Sequence, residues 1–263
     1  MDLGIRGRRA LVGGASSGLG RAIAEALAAE GTALVLTARR AEALGEVASV
    51  LAVRYGVRVE TIAADFAEPG AAGQIAQRAV ELLGAIDIAV LNAGGPPPVD
   101  PTATDSAGWA RALQMLVVTP IDLATRLLPP MRERRWGRIV AVGSYAVRQP
   151  VSDLVYSNAG RSALVAWLKT TSRAVAADGV TVNGAFPGRH ATARIEALDR
   201  ATAERTGTTP EAVKAAHLAA IPAGRYGLPA EFASYVAYLC SDRASYQTGT
   251  FTTIDGGLIT GLP

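Results

Sequence analysis

The feature that most constrains the fold is a glycine-rich turn near the start of the chain, Gly13-Gly14-Ala15-Ser16-Ser17-Gly18-Leu19-Gly20. It follows a short apolar run, Arg9-Ala10-Leu11-Val12, and opens the helical pattern Arg21-Ala22-Ile23-Ala24-Glu25-Ala26-Leu27. Glycine removes the Cβ, so the backbone can turn tightly and approach a pyrophosphate. The following helix start supplies free N–H groups and the positive end of its dipole. The spacing is G-x-x-x-G-x-G rather than G-x-G-x-x-G, and the turn alone also fits a tight strand-to-helix connection with no ligand.

A chain of 263 residues is long enough for one large α/β domain with a well-buried core. Apolar residues make up 49% and aromatics only 5%; the excess is Ala, Val, Leu and Gly, which suits parallel strands under packed helices. The net charge of +3 is spread out. The one dense basic patch, Arg132-Glu133-Arg134-Arg135, reads as a solvated helix end, so no nucleic-acid partner is expected. A single cysteine, Cys240, excludes an internal disulfide and fits a reducing cytoplasm; its apolar surroundings, Val236-Ala237-Tyr238-Leu239, place it in the core. No apolar run approaches about 18 residues, so no membrane span is expected, and no signal-peptide pattern opens the chain.

After the first helix the pattern alternates. Ala33-Leu34-Val35-Leu36-Thr37 reads as a second buried strand, ending in Ala38-Arg39-Arg40. An acidic residue past this strand would accept from a ribose 2′-OH and favour NAD. Two arginines stand there instead; guanidinium groups suit the 2′-phosphate of NADP, the alternative being a charged helix start. A helix over Ala41 to Tyr55 precedes a strand at Val57 to Ala63, followed by Asp65-Phe66. A carboxylate there could meet an adenine amino group or cap the next helix. Ala72 to Gly84 reads as helix, and Ile86 to Leu91 as a strand ending in Asn92-Ala93-Gly94-Gly95, small residues against which a cofactor can lie. Pro96-Pro97-Pro98 stiffens the next loop into a wall for a substrate pocket.

A long helical stretch, Ser106 to Arg134, leads to the strand Arg138 to Val142 with Gly143-Ser144 at its end. Val155 to Ala177 reads as a helix and Val180 to Ala185 as a strand closed by Phe186-Pro187-Gly188. Arg189 to Ile221 has the composition of a partly helical lid over a substrate. Pro229 to Leu239 is the last helix and Thr250 to Ile254 the last strand, before Asp255-Gly256-Gly257. Strands alternating with helices, with no composition break, imply one domain over residues 1–263. That domain is a Rossmann-like, doubly wound parallel sheet with helices on both faces. Ligands bind such sheets at the strand carboxyl ends, where the glycine turn, Arg39, Asp65, Asn92, Ser144 and Pro187-Gly188 all converge.

These residues resemble the short-chain dehydrogenase/reductase family from about Leu3 to Gly257. The matching pieces are Gly14-x-x-x-Gly18-x-Gly20, Asn92-Ala93-Gly94, Ser144, Pro187-Gly188, the run Ile221 to Pro229, Thr248-Gly249 and Asp255-Gly256-Gly257. Members resembling 3-oxoacyl-carrier-protein reductases are the most similar. The resemblance implies NADP(H) held by Gly14, Ser16, Ser17, Gly18, Leu19, Gly20, Arg39, Arg40, Asp65, Phe66, Asn92, Ala93, Gly94, Arg161, Pro187, Gly188 and Thr192. It also implies a homotetramer (or homodimer) built through the long helices and the last strand.

The family mechanism implied uses a serine, a tyrosine and a lysine, with a supporting asparagine. The phenol protonates a carbonyl oxygen while nicotinamide delivers hydride, and the lysine lowers the phenol pKa and holds the ribose. Tyrosine and lysine stand four apart, about 40° around a helix. Here the stretch reads Tyr156-Ser157-Asn158-Ala159-Gly160-Arg161, so lysine is absent. Either Tyr156 is the family tyrosine without its basic partner, or Arg161 holds the lysine position and Ser157 the tyrosine position. The spacing of Arg161 to Asn183 and the run Ala163 to Trp167 favour the second register for the helix. Tyr156 could still reach the site if the first turn is irregular. Arginine can clamp a ribose or phosphate but cannot tune a phenol as lysine does. The asparagine position falls near Met115-Leu116, with Gln114 the nearest polar side chain, and Gly13 replaces the usual threonine.

The expected catalytic set is therefore Ser144, Tyr156 and Arg161, acting in an NADP-dependent carbonyl reductase on a small-molecule ketone or 3-oxoacyl-type substrate. The alternatives are non-redox chemistry on the same fold (dehydration, isomerisation or cyclisation) and an NADP(H)-sensing protein. The two histidines, His190 and His217, lack neighbouring ligands at metal spacing, so no metal is expected. His190 reads as a loop residue or a substrate contact, Asp153 and Asp199 as surface carboxylates, and Trp136 and Trp167 as packing residues.

Overall fold

The computed structural model describes residues 1–261; the last two residues of the expected domain lie outside them. Seven parallel strands form one sheet: β1 (Arg9–Gly13), β2 (Ala33–Ala38), β3 (Val59–Ala63), β4 (Ile88–Leu91), β5 (Gly137–Val142), β6 (Val180–Pro187) and β7 (Phe251–Ile254), in the order β3-β2-β1-β4-β5-β6-β7. The switch between β1 and β4 opens the crevice in which doubly wound sheets bind ligands.

Strand alternation divides the core in two. Ala10, Val12, Leu34 and Leu36 point to one face, beneath α1 (Gly18–Ala29), α2 (Ala41–Tyr55) and α9 (Pro229–Leu239). Leu11 and Val35 point to the other, beneath α3 (Ala71–Leu83), α5 (Thr119–Glu133) and α6 (Val155–Val175). Helices thus cover both faces, as the alternating pattern predicts, and Ala41–Tyr55 and Pro229–Leu239 keep their predicted bounds.

The stretch predicted as one long helix is interrupted. α4 (Ser106–Leu113) passes through a π-helical turn, Gln114–Val118, before α5. Pro120 explains the widening: it has no N–H to donate, and its ring crowds the carbonyl of Leu116 one turn back. The lid region resolves into α7 (Ala193–Thr206) and α8 (Pro210–Ala220).

Asp199, expected at the surface, is 4% exposed. It accepts a 2.8 Å hydrogen bond from the Tyr226 hydroxyl, and lies 3.1 Å from His217 Nδ1 and 3.6 Å from Arg189 Nη1. This cluster ties α7 and α8 to the chain that precedes α9. Asp153 remains partly exposed and pairs with Arg205 at 3.2 Å.

The basic run is engaged within the fold. Arg132 pairs with Asp178 at 2.7 Å, Arg134 with Asp87 at 3.3 Å, and Arg135 donates to the Ala177 carbonyl. Cys240 is fully buried, which pushes its thiol up to about 12 and leaves it inert. Among the described residues no helix is long and apolar enough to cross a membrane.

Candidate active site

A cavity of about 550 Å³ opens at the carboxyl ends of β1, β2, β4, β5 and β6. Its floor is the glycine turn. Gly14 and Gly18 have φ of +59° and +55°, a region open to glycine at little cost. A Cβ on Gly13 would collide with the Asn92 carbonyl, and one on Gly20 with the Gly14 carbonyl. Asn92 Nδ2 donates to the Gly13 carbonyl at 3.0 Å and locks the turn against the end of β4. Ser17 precedes α1 at its N-cap without a side-chain hydrogen bond, and the first turn holds no acidic residue. Its N–H groups and its positive dipole end therefore remain available to an anion.

Every residue expected to bind the cofactor lines this one cavity. Gly14, Ser16, Ser17, Gly18, Leu19 and Gly20 form its base, and Arg39 and Arg40 stand exposed at the end of β2. Asp65 and Phe66 follow β3, Asn92, Ala93 and Gly94 follow β4, and Pro187, Gly188 and Thr192 follow β6. Asp65 does two local jobs: Oδ1 accepts from the Ala67 N–H at 2.9 Å, and Oδ2 pairs with Arg111 at 3.3 Å. Thr192 caps α7 by accepting from the Ile195 N–H at 3.4 Å. A Cβ on Gly188 would strike Asp255, so the turn after β6 packs closely against the start of Asp255-Gly256-Gly257.

The catalytic candidates divide. Ser144 lines the cavity and caps the short 3₁₀ turn Tyr145–Val147, its Oγ accepting from the Ala146 N–H at 3.1 Å. Arg161 is buried in the same wall. Its Nε donates to Ser157 Oγ at 3.1 Å and its Nη1 to the Val142 carbonyl at 2.7 Å. Burial, and to a lesser extent the charge of Arg194, lowers the Arg161 pKa to about 10, so it stays charged at neutral pH.

Tyr156 does not join them. It lies beside the cavity wall but faces away from the cavity: its hydroxyl accepts from the Asp105 N–H at 3.2 Å and its ring meets Trp109 edge-on at 4.8 Å. α6 is regular from Val155, without the irregular first turn that would bring Tyr156 inward. In a regular helix the residue four before Arg161 shares its face, and that residue is Ser157. The hydroxyl at that position belongs to a serine.

The supporting positions are also changed. Met115 lines the cavity where the asparagine is expected, while Leu116 packs beneath Gly160. Gln114 donates instead to Thr119 at 2.9 Å. Sequence reasoning missed Tyr145, Arg111 and Arg194, all of which line the cavity. No local pattern marked them, because their positions depend on how the loops after β5 and β6 and helix α4 fold over the sheet. His190 lines the cavity but is 2% exposed, packed edge-on against Phe232 at 5.4 Å. Its Nε2 has no hydrogen-bond partner, and burial lowers its pKa. Among the described residues no three His, Cys, Asp or Glu side chains cluster as metal ligands would.

A parallel sheet with a glycine cradle under an uncapped helix start, and a serine and a buried cation at the end of β5, defines a nucleotide-binding α/β protein built for polar chemistry beside the nucleotide. The chain belongs to the short-chain dehydrogenase/reductase family. A family model described as enoyl-(acyl carrier protein) reductase matches residues 14–259. A 3-oxoacyl-[acyl-carrier-protein] reductase from Aquifex aeolicus is 29% identical over 259 residues, covering 98% of this chain and all of the relative. Nodulation protein G from a Rhizobium species is 32% identical over 254 residues, with 97% and 98% covered. The structure of L-sorbose reductase from Gluconobacter frateurii, complexed with NADPH and L-sorbose, superposes with a TM-score of 0.94 at 32% identity, both chains fully covered.

Proposed function

We propose that this protein is an NADPH-dependent reductase of a small carbonyl compound in which Ser144, Ser157 and Arg161 replace the usual serine, tyrosine and lysine. The observation that carries the reading is the Arg161 Nε–H donating to Ser157 Oγ at 3.1 Å inside the cavity wall. The glycine cradle, the uncapped start of α1 and the exposed Arg39 and Arg40 fit a dinucleotide with a 2′-phosphate. When bound, NADPH supplies the hydride.

The chain's own residues then manage the carbonyl oxygen. Ser157 Oγ already accepts from Arg161, so its own proton is free to point into the cavity. Ser144 Oγ accepts from the Ala146 N–H and is likewise free to donate. Two hydroxyl donors can polarise a carbonyl, and the fixed charge of Arg161 favours negative charge developing beside Ser157, whose hydroxyl passes its proton to the new alkoxide and recovers one from solvent water. Arg161 cannot lose its proton in turnover, so it acts as an electrostatic and positioning group rather than as a relay. From the family resemblance and the exposed apolar side chains Leu113 and Val118, we infer assembly through the long helices and the last strand.

Ser157→Ala tests the assignment: kcat for NADPH oxidation falls by about 10²-fold, the scale of a general acid, while NADPH affinity stays within about twofold. An unchanged kcat refutes it. The outward-facing Tyr156 supports a second reading, non-redox chemistry at the same site. That reading predicts substrate turnover with no NADPH consumed.

A further inference from the structure

The cavity lining carries six arginines, at positions 39, 40, 111, 161, 189 and 194, against one carboxylate, Asp65. Two of them are neutralised: Arg111 by Asp65 at 3.3 Å and Arg189 by Asp199 at 3.6 Å. Arg39 and Arg40, at the end of β2, suit the 2′-phosphate of the cofactor, and the start of α1 suits its pyrophosphate. Arg161 and Arg194 remain.

Arg161 bonds only a hydroxyl and a backbone carbonyl, and it is buried. Arg194, in the first turn of α7, donates from Nη2 to the Pro96 carbonyl at 2.6 Å and makes no ion pair with any described residue. It leans across the loop after β4, where Gly95 leaves room: a Cβ there would lie 3.0 Å from Arg194 Nη2. The charge of Arg194 acts on Arg161, and burial lowers the pKa of each. Two like charges share one partly desolvated space, which is unfavourable unless an anion joins them. The start of α1 already offers its N–H groups to the cofactor phosphates, while Arg194 Nη2 turns to the Pro96 carbonyl beside Gly95, in the loop after β4. Arg161 is anchored at the end of β5, two strands from the glycine turn at β1, and strands are about 4.8 Å apart, so the separation is about 10 Å.

We propose that Arg194, backed by the charge of Arg161, is a subsite for the carboxylate of the substrate, so that the protein reduces a free oxo acid rather than a neutral ketone or a thioester. The inference rests on the reductase reading for the identity of the reacting group, but not for the binding of the anion. A guanidinium with most of its donors unused is shaped for bidentate binding to a carboxylate. Its place on α7 means that the anion would also fasten the lid helix over the reacting centre.

The test is calorimetric titration of the whole protein, free and loaded with NADP⁺, with levulinate, acetoacetate and 4-oxocyclohexanecarboxylate against their methyl esters. The acids bind at least tenfold more tightly than the esters. Arg194→Ala brings the two within twofold, and Arg194→Lys keeps part of the preference. Melting curves of both variants report folding, and the lysine variant decides the matter should the alanine variant unfold. Acids and esters that bind alike in a protein that binds NADPH overturn the carboxylate subsite and leave the reductase reading standing. Failure to bind NADPH overturns the reductase reading, and the preference measured in the free protein still decides the subsite.

Discussion

Replacing Tyr156 with phenylalanine removes one hydroxyl, whose hydrogen bond among the described residues is the one accepted at 3.2 Å from the Asp105 N–H. The ring keeps its edge-on packing against Trp109, so no cavity opens. The loss is therefore one ordinary hydrogen bond, about 0.5–1.5 kcal/mol. The Asp105 backbone is near the surface and can turn to water, which holds the cost toward the lower half of that range. In a chain of this length the melting temperature should fall by about 1–2 °C. Because the hydroxyl faces α4 rather than the cavity, kcat for NADPH oxidation with a ketone should stay within about twofold. A phenol acting as the general acid would instead lower kcat by about 10²–10⁴-fold on removal. Melting curves and initial rates at 340 nm on the same preparation separate the two outcomes. A hundredfold loss of kcat with an unchanged melting temperature would refute the placement of Tyr156 outside the reaction.

Further outcomes follow from the same geometry. The double variant Arg39→Ala, Arg40→Ala should weaken NADPH by about tenfold, some 1.4 kcal/mol, and leave NADH unchanged; fluorescence titration with each nucleotide reads this directly, and equal losses for both would contradict the 2′-phosphate assignment. Burial lowers the pKa of both His190 and His217 from the ordinary 6.5, with Arg189 adding to the effect at His217. Below pH 6.5 the unfolded chain therefore takes up protons before the folded one, so stability is full above that pH and falls as the pH drops through it. Melting temperature against pH should slope downward from 6.5 to 5, and the double variant His190→Gln, His217→Gln should flatten the slope; an unchanged slope would place its origin elsewhere.

Much of the fold was legible in the sequence because its signals are local. Apolar runs bounded by glycine mark the strands, and the helices over Ala41–Tyr55 and Pro229–Leu239 carry their own start and stop residues. The cofactor side of the cavity was legible for a related reason: each of its residues directly follows a strand, and parallel topology gathers all strand ends on one edge. The catalytic side was less so. Whether Tyr156 or Ser157 faces inward depends on one residue of helical phase. The spacing to Asn183 pointed to Ser157, yet only packing of Tyr156 against Trp109 and α4 decided it. The burial of Asp199 escaped notice because its partners, Tyr226, His217 and Arg189, come from three separate segments. Arg194 escaped for the same reason, since a polar side chain on a lid helix looks solvated until the loop over Pro96 is in place.

Hydride transfer supported by a serine and an arginine, without a tyrosine, is open to a direct test. NADPH deuterated at C4 of the nicotinamide, incubated with the protein and a panel of oxo acids and neutral ketones, tests it by mass spectrometry of the products. The expected product is an alcohol carrying one deuterium at the former carbonyl carbon, formed at an undiminished rate by the Tyr156→Phe protein and about 10²-fold more slowly by Ser157→Ala. NADPH that binds tightly yet passes no deuterium to any compound of the panel would contradict it.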